Sequence, residues 1–344
     1  MSCRILNIAD EQEWIKSAQW LKNRDEPDPE VEKSVQAIIS RVREEGDDAL
    51  VDFCRQYDCP DFEPPLLVSR HDIALAAASV SVESREQISA AAANIRAFHQ
   101  AQVEQSWFIT RPDGSILGQR VVPVDSVGLY VPGGKGGNTP LISSLLMNAI
   151  PAQVAGVQRI AICTPPRKDG TLNPYILAAA HLLDIDEVYR VGGAWSIAAL
   201  CYGTSSIKKT DVIAGPGNIH VATAKRLLQG IVGIDMVAGP SEVLIIADSS
   251  ANPAWVAADM LSQAEHDVLA SSICITDDAK LAEQTGKELE KQLKDLPRAG
   301  IARASLDNWG CIAIAPNLGV SIDIANFVAP EHLEICTRDP WGVL

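Results

Sequence analysis

Val237-Ala238-Gly239-Pro240-Ser241-Glu242-Val243-Leu244-Ile245-Ile246-Ala247-Asp248, continued by Leu261-Ser262-Gln263-Ala264-Glu265-His266, is the stretch from which the fold is read. Its first part is a Gly-Pro turn feeding an unbroken apolar run, Val243 to Ala247, which predicts a buried strand. The second part ends a helix predicted from about Asn252. Gln263 and His266 stand three apart, so a helix presents both on one face. A serine at a strand mouth and a Gln/His pair on the next helix end can converge on one pocket.

Outward from this stretch the chain alternates. Downstream, the helix Pro253 to Gln263 leads to a strand at Ser271–Thr276 and a charged helix, Ala279 to Leu293. A strand at Cys311–Ala315 and a helix near Ser321–Phe327 follow. Upstream, Ser126–Val131, Arg159–Thr164, Glu187–Val191 and Val212-Ile213 read as strands. They are separated by helices over about Thr139–Ala155, Asn173–Leu183, Gly193–Tyr202 and Asn218–Gly230. This alternation predicts parallel, doubly wound sheets. Trp107 to Gln119, with Pro112-Asp113-Gly114 in the middle, reads as a hairpin. Before it, residues 10 to 57 read as helices, broken at Pro27-Asp28-Pro29 and at Gly46. An Ala-rich helix is expected from Val82 to about Gln105. The block 107–240 looks complete in itself, so one sheet unit interrupts the other. The expected division is a helical extension over 1–25, a first domain from 26–132 with 242–344, and a second domain over 133–241.

At 344 residues, 47% hydrophobic and 21% charged, the composition is that of a globular protein with ample core. The net charge of -15 opposes binding to a phosphate backbone, and no Lys/Arg cluster overrides it, so nucleic acid is not an expected partner. The eight cysteines include no C-x-x-C pair, which points to free buried thiols in a reducing compartment. Without an apolar signal core at the start or a run of spanning length, a cytoplasmic protein with no membrane partner is expected.

Glycine turns mark where strands give way to helices: Gly133-Gly134, Gly136-Gly137, Gly192-Gly193 and Gly215-Pro216-Gly217. Open α/β sheets bind ligands there, although none of these turns matches the G-x-G-x-x-G or P-loop spacing. Lys135, among four glycines, is placed to close over an anionic ligand. Asn218 is explained by helix capping or, alternatively, by a hydrogen bond to a bound cofactor. Tyr130, last in its strand, is an ordinary strand aromatic or the flank of a cofactor. Glu331-His332 enters a strand after a helix, and such a pair beside a polar pocket is what a general acid/base system requires. His71, His99, His181 and His220 sit in helical contexts and read as structural.

Taken together, these segments resemble the histidinol dehydrogenase family. The matches are Val127–Gly134, Leu146–Ala152, Val191–Ala194, Gly215–Asn218, Ile234–Val243, Leu261–His266 and Ala329–Glu334, in family order. The resemblance implies two incomplete Rossmann-like parallel-sheet domains, one inserted in the other, with a helical N-terminal extension and an intertwined homodimer. It implies oxidation of L-histidinol to L-histidine through the aldehyde with two NAD⁺ and one zinc ion. Carried over by position, Gln263 and His266 are zinc ligands that also meet the substrate, Ser241 and His332 contact the substrate, and Tyr130 and Asn218 contact NAD. His332 and Glu331 are the catalytic pair. Beside this reading stand a sister dehydrogenase of another small polar alcohol and a non-catalytic, truncated binding or assembly protein.

Two departures qualify the resemblance. Trp195 stands where much of the family carries a cofactor-contacting glutamine, and an indole has no acceptor to replace the amide oxygen. The family also continues past the Glu-His segment, where it supplies an Asp and a His to the zinc, whereas this sequence stops at Pro340-Trp341-Gly342-Val343-Leu344. The expectation is weak zinc binding and poor turnover.

Overall fold

A computed structural model describes residues 3–24, 28–134, 140–237 and 239–344, the side chains of residues 22 and 23 excepted. The chain forms two compact units, a split one made of Met1–Glu26 with Ala238–Leu344 and an inserted one, Pro27–Val237. In chain order the strands are β1 (Arg4–Asn7), β2 (Trp107–Thr110), β3 (Ile116–Gln119), β4 (Ser126–Tyr130), β5 (Arg159–Cys163) and β6 (Glu187–Tyr189). They continue with β7 (Val212–Ala214), β8 (Gly233–Ile234), β9 (Glu242–Ala247), β10 (Ser271–Thr276), β11 (Gly310–Ile314) and β12 (His332–Cys336).

In the inserted unit five parallel strands run in the order β6-β5-β4-β7-β8. Successive side chains of β4 take opposite faces. Val127 and Leu129 join Leu145, Ile150 and Ile176 in one core layer, while Tyr130 joins Ile197, Leu200 and Val221 in the other. The chain order reverses between β4 and β7, which opens a crevice at the carboxyl ends of these strands. Gly215 closes that point. Its φ is +121°, and a Cβ there would lie 2.1 Å from the Tyr130 carbonyl oxygen. Only glycine fits.

The split unit holds the order β1-β11-β10-β9-β12, again parallel. Val243, Ile245 and Ala247 pack on Val256, Met260 and Leu261 of the helix Pro253–Ala264. Leu244 and Ile246 pack on Trp14 and Ile324 across the sheet. Burial on both faces is why Val243–Ala247 is apolar without alternation. The helix Pro253–Ala264 starts as its sequence prescribes, with Asn252 capping the Ala254 N–H and proline at the first position. Helices of both units cover both faces of their sheets, as the alternation predicts.

The domain boundaries need correction. The span 1–25 is not purely helical, because Arg4–Asn7 is an edge strand paired with β11, Arg4 opposite Cys311. Four residues carry no legible period, so this strand exists through its pairing. The span 26–132 lies in the inserted unit rather than with 242–344. Val35, Ile38, Ile39 and Val42 bury their stripe against Ile197, Leu200 and Val221, and β4 bonds to β5 and β7. The helix Ala299–Trp309 was not expected, and it begins without a side-chain cap, hence without a start signal. The Ala-rich helix ends at Gln100 rather than Gln105. Lys135 and Gly136-Gly137 lie outside the described residues.

Candidate active site

The candidate residues of the split unit gather at the amino ends of its strands. Glu242 of β9 is opposite Ser271 of β10, and Val243 is opposite His332 of β12. The Ser271 N–H donates to the Ser241 carbonyl at 3.0 Å. Ser241, Glu331 and His332 therefore share one edge. The helix before Glu331 ends at Ala329, whose φ of +47° is a left-handed turn rarely taken by a residue with a side chain. That turn and Pro330 deliver Glu331 to the strand entrance. One Glu331 oxygen accepts from the Glu242 N–H at 3.3 Å. The other lies 3.7 Å from His332 Nε2, with both side chains about half exposed at 50% and 57%. Glu242 in turn forms an ion pair with the buried Arg24, so the strand whose N–H holds Glu331 is itself tied down.

Gln263 lies in the last turn of its helix and is buried, and its Nε2 has no hydrogen-bond partner among the described residues. A buried amide that donates to nothing is costly, and such groups usually face a ligand or water. His266 lies just past the helix end, exposed, in a turn where its N–H donates to the Gln263 carbonyl at 3.1 Å. The expected shared helix face thus becomes a shared final turn. Arg298 holds that turn by donating to the His266 carbonyl at 3.0 Å.

A polar group that sequence reasoning missed lies on the same strand. Alternation places His332, Glu334 and Cys336 on one face of β12. The ligand atoms of Asp259, Glu334 and Cys336 lie within 4.8 Å of one another. Burial, then the Asp259 carboxylate, pushes Glu334 up, while His332 eases it. Asp259 precedes Gln263 by four residues, one turn along the same helix face, and Glu334 follows His332 by two. The spacing D-x-x-x-Q with H-x-E was the available signal, but it acquires meaning only when helix and strand are known to pack.

In the inserted unit, Tyr130 and Asn218 line one cleft of about 500 Å³ at the β4/β7 reversal, with Trp195, Gly193 and Gly133-Gly134. Asn218 caps its helix, accepting from the N–H groups of His220 at 3.1 Å and Val221 at 3.2 Å. The capping reading is correct, and the capped end still faces the cleft. Tyr130 is buried, which pushes its phenol up, and its hydroxyl accepts from the Gly193 N–H. The helix Gly193–Tyr202 starts without a side-chain cap, which leaves an N-terminus suited to an anion. Trp195 is buried, stacked at 5.5 Å on Phe53 and 5.3 Å on Tyr57, and its Nε1 has no hydrogen-bond partner among the described residues. Asp58 and His220 line the cleft as well. Asp58 carries no signal in the sequence, and His220 reads there as structural.

The cysteines are free and all but Cys336 are buried. No helix among the described residues is long and apolar enough to cross a membrane.

Residues 21–344 match the histidinol dehydrogenase family. The chain is 58% identical to the histidinol dehydrogenase of Oleidesulfovibrio alaskensis over 345 residues, covering 100% of this chain and 80% of that protein. It is also 58% identical to that of Nitratidesulfovibrio vulgaris, covering 99% of this chain and 78% of the relative. The crystal structure of histidinol dehydrogenase from Elizabethkingia anophelis superposes with a TM-score of 0.88 at 36% identity, covering 99% of this chain and 77% of that one.

Proposed function

The chain belongs to the histidinol dehydrogenase family, and on that premise we propose that it oxidises L-histidinol to L-histidine through the aldehyde, reducing two NAD⁺. The observation that carries this reading is the Glu331–His332 pair, seated at the strand edge that also holds Ser241. His332 takes the substrate hydroxyl proton as hydride leaves the alcohol carbon, and serves again as base in the second oxidation. Glu331 activates the water that hydrates the aldehyde. Its carboxylate is held for this by the Glu242 N–H. Ser241 offers the substrate a hydroxyl at the same edge.

Zinc fits Gln263 and His266 in part. An imidazole nitrogen is a ligand that zinc accepts readily and an amide oxygen a rarer one, while the orphaned Gln263 Nε2, a hydrogen-bond donor, calls for an acceptor rather than a cation. When bound, the ion would supply a Lewis acid that grips the substrate's nitrogen atoms and orients the alcohol carbon. NAD fits the inserted unit's cleft, which combines glycine turns, the uncapped N-terminus before Gly193, and Tyr130 and Asn218 on its wall. Tyr130 and Asn218 are the residues that would contact it.

The exposed hairpin β2–β3 supports a homodimer. Trp107, Phe108, Ile109 and Ile116 are all more than half exposed, an apolar density that marks a contact surface.

The test is NADH production by the purified chain with L-histidinol, NAD⁺ and added zinc. Two NADH per histidinol are expected. Activity on a different polar alcohol in place of L-histidinol would replace the substrate, and a chain that binds neither NAD⁺ nor zinc would be a non-catalytic member.

A further inference from the structure

One atom in the inserted unit's cleft has no partner that explains it. Oδ2 of Asp58 is buried and accepts no hydrogen bond among the described residues. Asp58 ends the short π-turn Cys54–Asp58, whose geometry is closed by the Cys59 N–H donating to the Cys54 carbonyl at 2.8 Å. The backbone of the turn is therefore satisfied without the side chain, and the carboxyl is not required there to cap or brace it. It lines the cleft beside Tyr57, Tyr130 and Gly133-Gly134. Burial pushes this carboxyl up to about 7, relieved only by Lys168.

A buried acceptor without a donor destabilises the fold, so its retention at a cleft wall is explained by a ligand that brings the donors. The ligand's chemistry follows from what else the cleft presents. The uncapped helix start at Gly193 favours an anion, and a carboxylate repels one. A molecule that suits both must carry negative charge in one part and neutral hydroxyl donors in another. A dinucleotide does: its phosphates suit the helix start, and each ribose offers two adjacent hydroxyls to a single carboxylate.

We propose that Asp58 is the ribose-binding residue of this cleft, its carboxylate accepting the vicinal hydroxyls of one ribose of the bound dinucleotide. The assignment rests on the reading of the cleft as the NAD site and adds to it a residue outside the family motifs. The carboxylate makes no bond to the reacting carbon, so its contribution is to affinity and to the choice of sugar.

The experiment is calorimetric titration of the full chain and of Asp58→Ala and Asp58→Asn with NAD⁺, AMP, nicotinamide mononucleotide and the 2′-deoxy form of whichever mononucleotide binds. Hydrogen bonds to a charged acceptor predict about tenfold to a hundredfold weaker NAD⁺ binding in D58A and a smaller loss in D58N. The native chain is expected to prefer the ribose over the deoxyribose probe, and D58A to lose that preference. Whichever mononucleotide is weakened identifies the ribose. NAD⁺ binding by D58A as tight as that of the native chain, or an unchanged preference for the hydroxyl, would overturn the Asp58 assignment and leave the NAD reading intact. A native chain that binds none of the nucleotides would overturn both. Circular dichroism of D58N, whose side chain has the same shape, separates loss of binding from loss of fold.

Discussion

His332 Nε2 stands 3.7 Å from one oxygen of Glu331, and the other oxygen of Glu331 accepts from the Glu242 N–H at 3.3 Å. The loop carboxylate is thus anchored to the start of β9, while the imidazole leads β12. Two adjacent residues held by different strands can carry different duties. His332→Asn removes the proposed base of both oxidations and is expected to lower kcat by about 10²–10⁴-fold. Glu331→Gln keeps an acceptor for the Glu242 N–H and loses only the charge proposed to activate water. Its expected effect falls on the second oxidation, so that NADH formed per L-histidinol drops from two toward one. Equal slowing of both oxidations by E331Q would refute the division of labour.

Asp58 makes stability depend on pH in a direction that can be worked out. Its folded value of about 7 lies above the ordinary carboxyl range, so the folded chain binds the proton more tightly than the unfolded one. The stability it contributes is full below about pH 4 and is lost as pH rises through about 7. Asp58→Asn cannot ionise. It is expected to melt with the native chain near pH 4 and to be more stable at pH 8, by on the order of 1–2 kcal/mol after allowing for partial exposure. Cys54, pushed up to about 12, and Tyr130, also pushed up by burial, do not titrate in this window. Coincident melting curves at pH 8 would contradict the buried carboxylate.

Legibility in the sequence follows the range of the interactions. Val243–Ala247 is readable because a strand buried on both faces needs five apolar residues in a row, and Asn252-Pro253 is readable because capping acts within four residues. Arg4–Asn7 is not readable, since only its pairing with β11, some three hundred residues away, makes it a strand. The family motifs point to Ser241, Gln263, His266 and Glu331-His332, all of which lie near turns and element ends. Glu334 with Asp259 and the isolated Asp58 stayed hidden because their significance is burial and packing, which no local spacing records. The joint expected at 132/133 is absent for the same reason, since 27–132 packs within the inserted unit. The stripe Val35–Val42 is amphipathic in sequence, but what covers it is a tertiary fact.

Two glycines with positive φ separate conformational strain from steric exclusion. Gly46 has φ +62° and nothing within 4 Å of a built Cβ, whereas Gly215 has φ +121° and a Tyr130 carbonyl 2.1 Å away. Gly46→Ala is expected to cost about 1–3 kcal/mol, the strained backbone alone. Gly215→Ala is expected to cost at least about 3 kcal/mol, because the β4/β7 reversal must open to admit the methyl group. It should also weaken NAD⁺ binding at that reversal. Urea denaturation of the two variants gives the comparison, and equal costs would mean that the close approach at Gly215 is not maintained.

The hairpin Trp107–Gln119 gives the proposed homodimer a surface to test. Phe108 faces Gly118 in the register, and a Cβ on Gly118 would strike the Phe108 ring, so the ring lies across its partner strand. That contact shapes the hairpin but leaves Phe108 62% exposed, with Trp107 at 53% and Ile116 at 68%. A two-stranded ribbon is marginal in water by itself, and alternation sends Trp107 and Phe108 to opposite faces. Apolar side chains on both faces leave no face for water. A second copy of the chain covering the ribbon accounts for this. Replacing Trp107 and Phe108 together by serine is expected to turn a dimer into a monomer in analytical ultracentrifugation, with the circular dichroism of the sheets unchanged. A native chain that sediments as a monomer, or a double variant that remains a dimer, would show that the hairpin is not the contact.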